Sequence, residues 1–321
     1  MTASLSRRGF LGSILAAGAY AAGGRLFAAA PEDFDENLAI FLSDVHVSGN
    51  NEPDPKTGKL EQTYSRDWLK ASVAEILQMR PLPRHVLVFG DLAYLIGRKM
   101  DYLQSQPDLK LLVDAGIKLT IGMGNHDHRS SFLEVWPEYA ERTRVPGNIV
   151  SVASLRHADF IMLDSLNETT GPGEWNPVPG ALRKEEQDWL AANLPTWPRP
   201  FFLGAHHPFH ELKVGKKERP IRDLFLKFPN FAGYVHGHDH FWKHGMIDWH
   251  KAQSKRWLCL PSNGLWGDIG YVKFRVEPHR AVASLVQKDC FHPRPFPKEE
   301  RNPAWDLQLA ENRGRTFTFA F

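Results

Sequence analysis

The chain has 321 residues, which is enough for one large domain or two small ones with a sizeable core. Hydrophobic residues make up 42% of the sequence and charged residues 24%, the proportions of an ordinary globular protein. With 39 basic against 37 acidic residues, the near-neutral charge argues against a general nucleic-acid or membrane-surface binder.

Residues 1–30 have the pattern of an export signal, and residues 31–321 are expected to form the mature domain. Ser6-Arg7-Arg8-Gly9-Phe10-Leu11 is a twin-arginine pattern, followed by an apolar run and by Ala28-Ala29-Ala30. A membrane anchor is the alternative, but the run is short and Gly23-Gly24-Arg25 interrupts it. We therefore expect recognition by the twin-arginine export machinery, a periplasmic or secreted location, and no stable membrane span after cleavage.

Two cysteines, Cys259 and Cys290, leave two alternatives open. In an exported protein they could pair, whereas the apolar run around Cys259 favours a buried free thiol. Two cysteines are too few for a thiolate-rich metal site. Any metal must therefore be held by His, Asp, Glu or Asn.

Short apolar runs that end in polar residues predict buried strands in the first half of the chain. These strands cover residues 38–43, 85–89, 117–122, 148–155 and 159–163. Ser65 is expected to cap a helix that Pro81 ends. Two further helices are predicted at 108–115, after Pro107, and at about 130–141.

The second half continues with strands and one clear amphipathic helix, Leu182 to Leu194. Strands are predicted at 200–204 and 231–235, a loop and helix at 213–227, antiparallel strands over 242–286, and an edge strand at 316–321. An alternation of strands and helices followed by a meander predicts an α/β fold: two mixed β-sheets packed face to face with helices outside.

Polar motifs stand directly after five of these strands. Because ligands bind at the carboxyl ends of strands in open α/β sheets, we expect the motifs to converge. Their candidate metal ligands are Asp44, His46, Asp91, Asn125, His206 or His207, His238 and His240. This donor set suits Mn, Fe, Zn or Co, and it is too large for one ion. Two ions that share a bridging carboxylate would use it fully.

The order Asp-x-His, Gly-Asp, Gly-Asn-His-Asp, His-x-Pro and Gly-His-x-His over residues 38–241 resembles the calcineurin-like metallophosphoesterase family. The resemblance implies a four-layer α/β/β/α sandwich. It also implies hydrolysis of a small-molecule phosphate mono- or diester by a metal-bound hydroxide at a dinuclear centre. The long loop before the helix at 182–194 loosely resembles the cyclic-nucleotide and glycerophosphodiester phosphodiesterase branch.

The resemblance also implies a role for each motif residue. One metal would take Asp44, His46, Asp91 and His240, and the other Asp91, Asn125, His206 and His238. His206 is preferred to His207 because it stands two positions before Pro208. The predicted catalytic residues are His126, which would face the phosphoryl group, and Asp127, which would hold the other nitrogen of His126 or cap the next helix.

A binding or scaffolding protein with an impaired site is the alternative reading. No expected ligand position is substituted, which argues against it. Trp175 and Trp266 stand in loops where they could rim the site and contact a base or a sugar, or fill the core instead.

Overall fold

The computed structural model describes residues 33–49, 64–212, 225–247, 255–264, 266–291 and 303–321. The export signal at 1–30 lies outside them and stays a prediction, and the loop and helix at 213–227 lie largely outside. Across the described residues, no helix is both long and apolar enough to cross a membrane.

Two six-stranded mixed sheets form the centre of the protein. The first sheet contains β1 Phe34–Leu42, β2 Leu82–Val88, β3 Lys118–Ile121, β10 Gly267–Glu277, β11 Arg280–Phe291 and β12 Thr316–Ala320. The second contains β4 Ser151–Ser154, β5 Asp159–Met162, β6 Phe201–Ala205, β7 Phe231–His236, β8 Lys243–Met246 and β9 Arg256–Cys259. The strand order is β12-β11-β10-β1-β2-β3 in the first sheet and β4-β5-β6-β7-β9-β8 in the second.

The strand predictions are confirmed, including the edge position of β12. One part of the antiparallel meander is wrong. Strand β9 pairs antiparallel with β8, but it also pairs parallel with β7, so that Val235 lies opposite Leu258. The parallel set β5-β6-β7-β9 is therefore one strand wider than the sequence suggests.

Helices lie on the outer faces of both sheets, as the four-layer prediction requires. They are α1 Tyr64–Leu77, α2 Lys99–Asp114, α3 Arg129–Val135, α4 Glu138–Arg142, α5 Lys184–Asn193 and α6 Pro303–Asn312. Ile40 and Leu42 pack with the helices outside the first sheet, whereas Phe41, on the other face of the same strand, packs between the sheets. This alternation is the two-residue period of a strand that is buried on both faces.

Three helix boundaries differ from the sequence prediction. Helix α2 begins at Lys99, nine positions before the predicted start, and contains Pro107. Burial of Tyr102, Leu109 and Leu112 outweighs the hydrogen bond that proline removes.

The expected single helix at 130–141 is two helices, α3 and α4, separated at Trp136 and Pro137. Because α1 begins at Tyr64, Ser65 lies inside its first turn and does not precede it as a cap.

The two cysteines are free and buried, so the disulfide alternative is wrong. Cys259 lies in β9 of the second sheet, and Cys290 lies in β11 of the first. The thiol of Cys259 points at the carbonyl of Gly237, with 3.5 Å between sulfur and oxygen.

Candidate metal centre

Every predicted ligand stands in a turn just beyond the carboxyl end of a strand. Asp44 and His46 follow β1, Asp91 follows β2, and Asn125 follows β3. His206 follows β6 directly, and His238 and His240 follow β7. Backbone hydrogen bonds tie neighbouring turns together: the N–H of His46 donates to the carbonyl of Asp91, and that of Gly237 to the carbonyl of His206. The two sheets therefore present their ligands at one shared edge.

Five of these residues have a left-handed backbone. They are Asp44 (φ 52°), His46 (49°), Asp91 (48°), His238 (70°) and His240 (65°). In the part of the chain that the structure describes, no other non-glycine residue has a positive φ. Such a conformation costs about 1–2 kcal/mol for a residue with a Cβ, and it persists where the surroundings enforce it. Strain concentrated on one set of polar side chains marks a functional site.

Two motif glycines are required by close approach of neighbouring atoms. A Cβ on Gly237 would lie 1.9 Å from Oγ of Ser43 and 2.6 Å from a carboxylate oxygen of Asp44. A Cβ on Gly124 would lie 2.2 Å from Oδ1 of Asp91. Both glycines let a ligand carboxylate lie directly against the backbone of the next turn.

The first ligand cluster consists of Asp44, His46, Asp91 and His240. Nε2 of His240 lies 3.1 Å from Oδ1 of Asp44 and 3.4 Å from Nε2 of His46. Nε2 of His46 lies 3.7 Å from Oδ2 of Asp91. All four side chains are buried.

The second ligand cluster consists of Asp91, Asn125, His206 and His238. Nε2 of His206 lies 3.1 Å from Oδ2 of Asp91, 3.2 Å from Oδ1 of Asn125 and 3.1 Å from Nδ1 of His238. Oδ2 of Asp91 therefore faces both clusters, which is the position of a bridging carboxylate. Oδ1 of Asp91 accepts the backbone N–H of His126 at 2.8 Å and is fixed by it.

The outer nitrogens of the histidines show how each ring is oriented. Nδ1 of His46 lies 2.8 Å from the carbonyl of Tyr94, that of His240 3.1 Å from Trp266, and that of His206 2.9 Å from Phe89. A carbonyl accepts only, so each Nδ1 carries a proton and each Nε2 points inward toward the clusters.

His238 is reversed relative to the other three histidines. Its Nδ1 points inward, and its Nε2 lies 3.5 Å from a carboxylate oxygen of Glu211. The hydrogen bond from His238 lowers the pKa of Glu211. Sequence reasoning missed Glu211, which stands five positions after His206 and belongs to none of the motifs.

The donors fit metal ions better than they fit one another. Nε2 of His46 and Nε2 of His240 lie 3.4 Å apart, and each also faces a carboxylate oxygen, that of Asp91 or Asp44. Four groups of three carboxylate or imidazole atoms lie within 4.8 Å of one another: two are drawn from the clusters alone, one includes His126 and one includes His207. Carboxylate, amide oxygen and imidazole are ligands of Mn, Fe, Zn and Co.

The electrostatics of the buried carboxylates follow from the histidines around them. Burial raises the pKa of Asp44, but the charges of His240 and His206 outweigh it and hold that pKa below its usual range. Asp91 likewise titrates well below its usual pKa, because His206 and His126 outweigh the effect of burial. Both carboxylates are therefore ionised at neutral pH and available to cations.

The two clusters differ in the protonation of their histidines. Burial lowers the pKa of His46 to about 3, so this ring is neutral. Burial also disfavours protonation of His206, but the charges of Asp91 and Asp44 raise its pKa to about 9.

His126 and Asp127 are not arranged as the sequence suggested. Nδ1 of His126 lies 2.7 Å from the carbonyl of Leu95, so Asp127 does not hold it. Asp127 accepts hydrogen bonds from the N–H groups of Ala93 and Gly124 and from the hydroxyl of Tyr102. Asp127 thus fixes the turns that carry the ligands, and a backbone carbonyl orients His126. Helix α3 begins after His128, so Asp127 does not occupy its cap position either.

His207 lies beside the second cluster, with one ring nitrogen within 4.8 Å of nitrogens of His206 and His238. Its Nδ1 lies 2.8 Å from the hydroxyl oxygen of Ser165, and its Nε2 has no hydrogen-bond partner. His206 is the histidine that contacts Asp91 and Asn125. Asp164, which follows β5, forms a two-point ion pair with Arg129.

A profile described as calcineurin-like phosphoesterase matches residues 39–241. No curated protein sequence matches the chain. A dimetal phosphatase from Danio rerio is 13% identical, covers 77% of this chain and 95% of its own, and superposes with a TM-score of 0.58. This likeness concerns the fold.

Two other solved structures resemble the chain less closely. The calcineurin-like phosphoesterase YfkN from Bacillus subtilis is 12% identical over 75% of this chain and 85% of its own, with a TM-score of 0.42. Vps29 from Chaetomium thermophilum is 11% identical over 88% of this chain and 96% of its own, with a TM-score of 0.36.

Proposed function

This chain belongs to the calcineurin-like phosphoesterase family, and we propose that it hydrolyses phosphate esters at a centre of two metal ions. The observation that supports this most strongly is the position of Asp91 between two buried donor clusters. Its Oδ2 lies 3.1 Å from His206 and 3.7 Å from His46, which belong to different clusters.

The first ion would be held by Asp44, His46, Asp91 and His240, and the second by Asp91, Asn125, His206 and His238. When bound, a pair of Mn, Fe, Zn or Co ions lowers the pKa of water and offsets the charge that develops at phosphorus. The protein supplies the geometry: seven side chains held on turns that backbone hydrogen bonds connect.

His126 is suited to act on the leaving group. Its Nδ1 donates to the carbonyl of Leu95, which fixes the ring and leaves Nε2 facing the site, 3.9 Å from Oδ2 of Asp91. When Nε2 is protonated, it can give its proton to a departing alkoxide or phenoxide oxygen. The side chain is 15% exposed, so a substrate can reach it.

A binding or scaffolding role without catalysis is the less favoured alternative. The intact ligand set and its burial support turnover.

The test is to load the protein with Mn²⁺ or Zn²⁺ and assay p-nitrophenyl phosphate and its bis ester. We expect hydrolysis of at least one, with two ions bound per chain by metal analysis. A His126→Gln variant should keep both ions and lose about 10²-fold or more in kcat. Two bound ions without turnover of either ester would contradict the proposal.

A further inference from the structure

Two tryptophans are unusually exposed beside the proposed catalytic centre. Trp175 is 56% exposed and Trp266 is 38% exposed. The ring of Trp175 meets His126 edge to face, with 5.3 Å between centroids. Trp266 stacks on His240 with 5.0 Å between centroids and lies 6.3 Å from His46. Both indoles therefore contact histidine rings of the proposed centre and extend from them into solvent.

The loop that carries Trp175 is held on both sides of the indole. The carbonyl of Glu174 lies 2.9 Å from Nε2 of His128, and the side-chain amide of Asn176 donates to the carbonyl of Asp127 at 3.0 Å. Further along, the N–H of Gly173 donates to the carbonyl of Ile96. These bonds fix the loop against the turn that carries His126, so the exposed position of Trp175 is built into the fold.

The same loop is anchored by a buried ion-pair network. Glu168 accepts hydrogen bonds from the backbone and the guanidinium of Arg129, at 3.0 and 2.8 Å. Arg129 in turn bonds both carboxylate oxygens of Asp164. The arginine lies at the start of α3, directly after the motif that contains His126.

Trp266 is held by contacts of a different kind. Its own carbonyl accepts from Nδ1 of His240, and the N–H of Asp268, two positions on, donates to the carbonyl of His240. The carboxylate of Asp268 accepts from Gln308 and Asn312 of α6. The C-terminal helix, which lies outside the matched residues 39–241, therefore supports the turn that presents Trp266.

We propose that Trp175 and Trp266 form an aromatic rim that selects phosphate esters carrying a planar aromatic group, either a nucleobase or an aryl ring. The inference rests on the proposed phosphoesterase function, because the rim lies beside the residues that would act on phosphorus. Exposed indoles next to a reacting centre offer flat apolar surfaces on which such a ring can stack. A small aliphatic alcohol group has no flat face that could stack on these indoles.

The experiment compares phosphate esters of primary alcohols that differ in whether they carry an aromatic ring. AMP and ribose 5-phosphate form one pair, and benzyl and cyclohexylmethyl phosphate form the other; the methyl diesters replace them if monoesters are not cleaved. We expect kcat/KM to be about tenfold higher for the aromatic member of at least one pair, mainly through KM. The pair that shows the preference identifies a base or an aryl ring as the natural group.

Substitutions of the two tryptophans test whether the rim causes the preference for an aromatic ring. Trp175→Ala and Trp266→Ala should each reduce the preference at least about twofold, measured as the ratio of kcat/KM within a pair so that any change common to both esters cancels, and Trp175→Phe should keep most of it. Leu111→Ala, an equally exposed apolar residue on α2 (44%), is the control. Equal KM values within both pairs, or a preference that survives both alanine variants, would overturn the rim.

Calorimetric binding of AMP and ribose 5-phosphate separates this inference from the proposed function. Binding needs no turnover, so the AMP preference can be measured even if no ester is hydrolysed. Preferential AMP binding without hydrolysis would support the rim and refute the phosphoesterase. Hydrolysis without any preference for the aromatic ring would support the phosphoesterase function and refute the rim.

Discussion

The two ligand clusters share Asp91 but are built differently. In the first, the outer nitrogens of His46 and His240 both bond backbone carbonyls, those of Tyr94 and Trp266. In the second, His206 bonds a carbonyl, but His238 is reversed and lies against the carboxylate of Glu211. The histidines of the first cluster are therefore oriented by backbone carbonyls, whereas the second cluster depends on the replaceable side chain of Glu211 to orient His238. Substitutions outside the ligands should weaken the second cluster more readily.

The largest effect should come from the residue that the two clusters share. Asp91→Asn keeps the shape of the side chain but removes the charge that faces both clusters. We expect loss of both ions and a fall in kcat/KM of about 10³-fold, since neither ion would keep its bridging ligand. Metal content after dialysis and ester hydrolysis measure this. Full activity with two ions would refute the bridging position of Asp91.

A matched pair of substitutions should separate the clusters. His240→Ala removes a ligand of the first and His238→Ala a ligand of the second. Each variant is expected to retain one ion per chain, because all four residues of the other cluster are untouched. Metal analysis gives the stoichiometry. If either variant lost both ions, the clusters would not be independent, and the comparison between them would fail.

A smaller effect is expected from the orienting carboxylate of the second cluster. Glu211→Gln should weaken the second ion about 10- to 100-fold and leave the first unchanged, because the charge that orients His238 is lost. Competitive titration with a chelator measures both affinities. His210→Gln is the control, since His210 is 65% exposed and lies 3.9 Å from Glu211. Equal weakening of both ions would show that Glu211 does not act through His238.

The last effect, measured per pH unit, concerns proton release on metal binding. In the metal-free protein the pKa of His206 is raised to about 9, whereas that of His46 is lowered to about 3. Between these values His206 must release a proton when it takes a metal and His46 need not. Affinity of the second cluster should therefore rise about tenfold per pH unit up to pH 9.

The His238→Ala and His240→Ala variants allow the proton count to be measured on one cluster at a time. Calorimetry at pH 7 in buffers of different ionisation enthalpy gives the protons released per ion. The variant that keeps the second cluster should release about one proton more than the variant that keeps the first. Equal release from both would contradict the difference between His206 and His46.

Much of the fold and the ligand set could be predicted from the sequence, because both depend on patterns along the chain. Apolar runs that end in polar motifs located the strands, and the rule for strand ends brought Asp44, Asp91 and His206 to one edge. The choice of His206 over His207 came from the family resemblance, in which the histidine stands two positions before a proline, and the structure brings His206 to Asp91.

What the sequence could not reveal depends on contacts between distant residues. The hydrogen-bond partner of His126 is the backbone carbonyl of Leu95. Every residue has such a carbonyl, so the residue type gives no sign of this contact. Nothing in the local sequence distinguishes Glu211 from a solvent-exposed glutamate, because His238 comes close to it only in the folded chain. The parallel pairing of β9 with β7 and the position of Pro107 inside α2 are decided by packing, which local propensity does not record.

The left-handed backbone of the five ligands has a consequence for laboratory evolution. Glycine would relieve the conformational strain at each of those positions, although it would also remove a metal ligand. A library screened for heat resistance in metal-free medium should therefore enrich glycine at residues such as His46 and Asp44. The survivors would be more robust and inactive, because stability and activity favour opposite residues at the same positions.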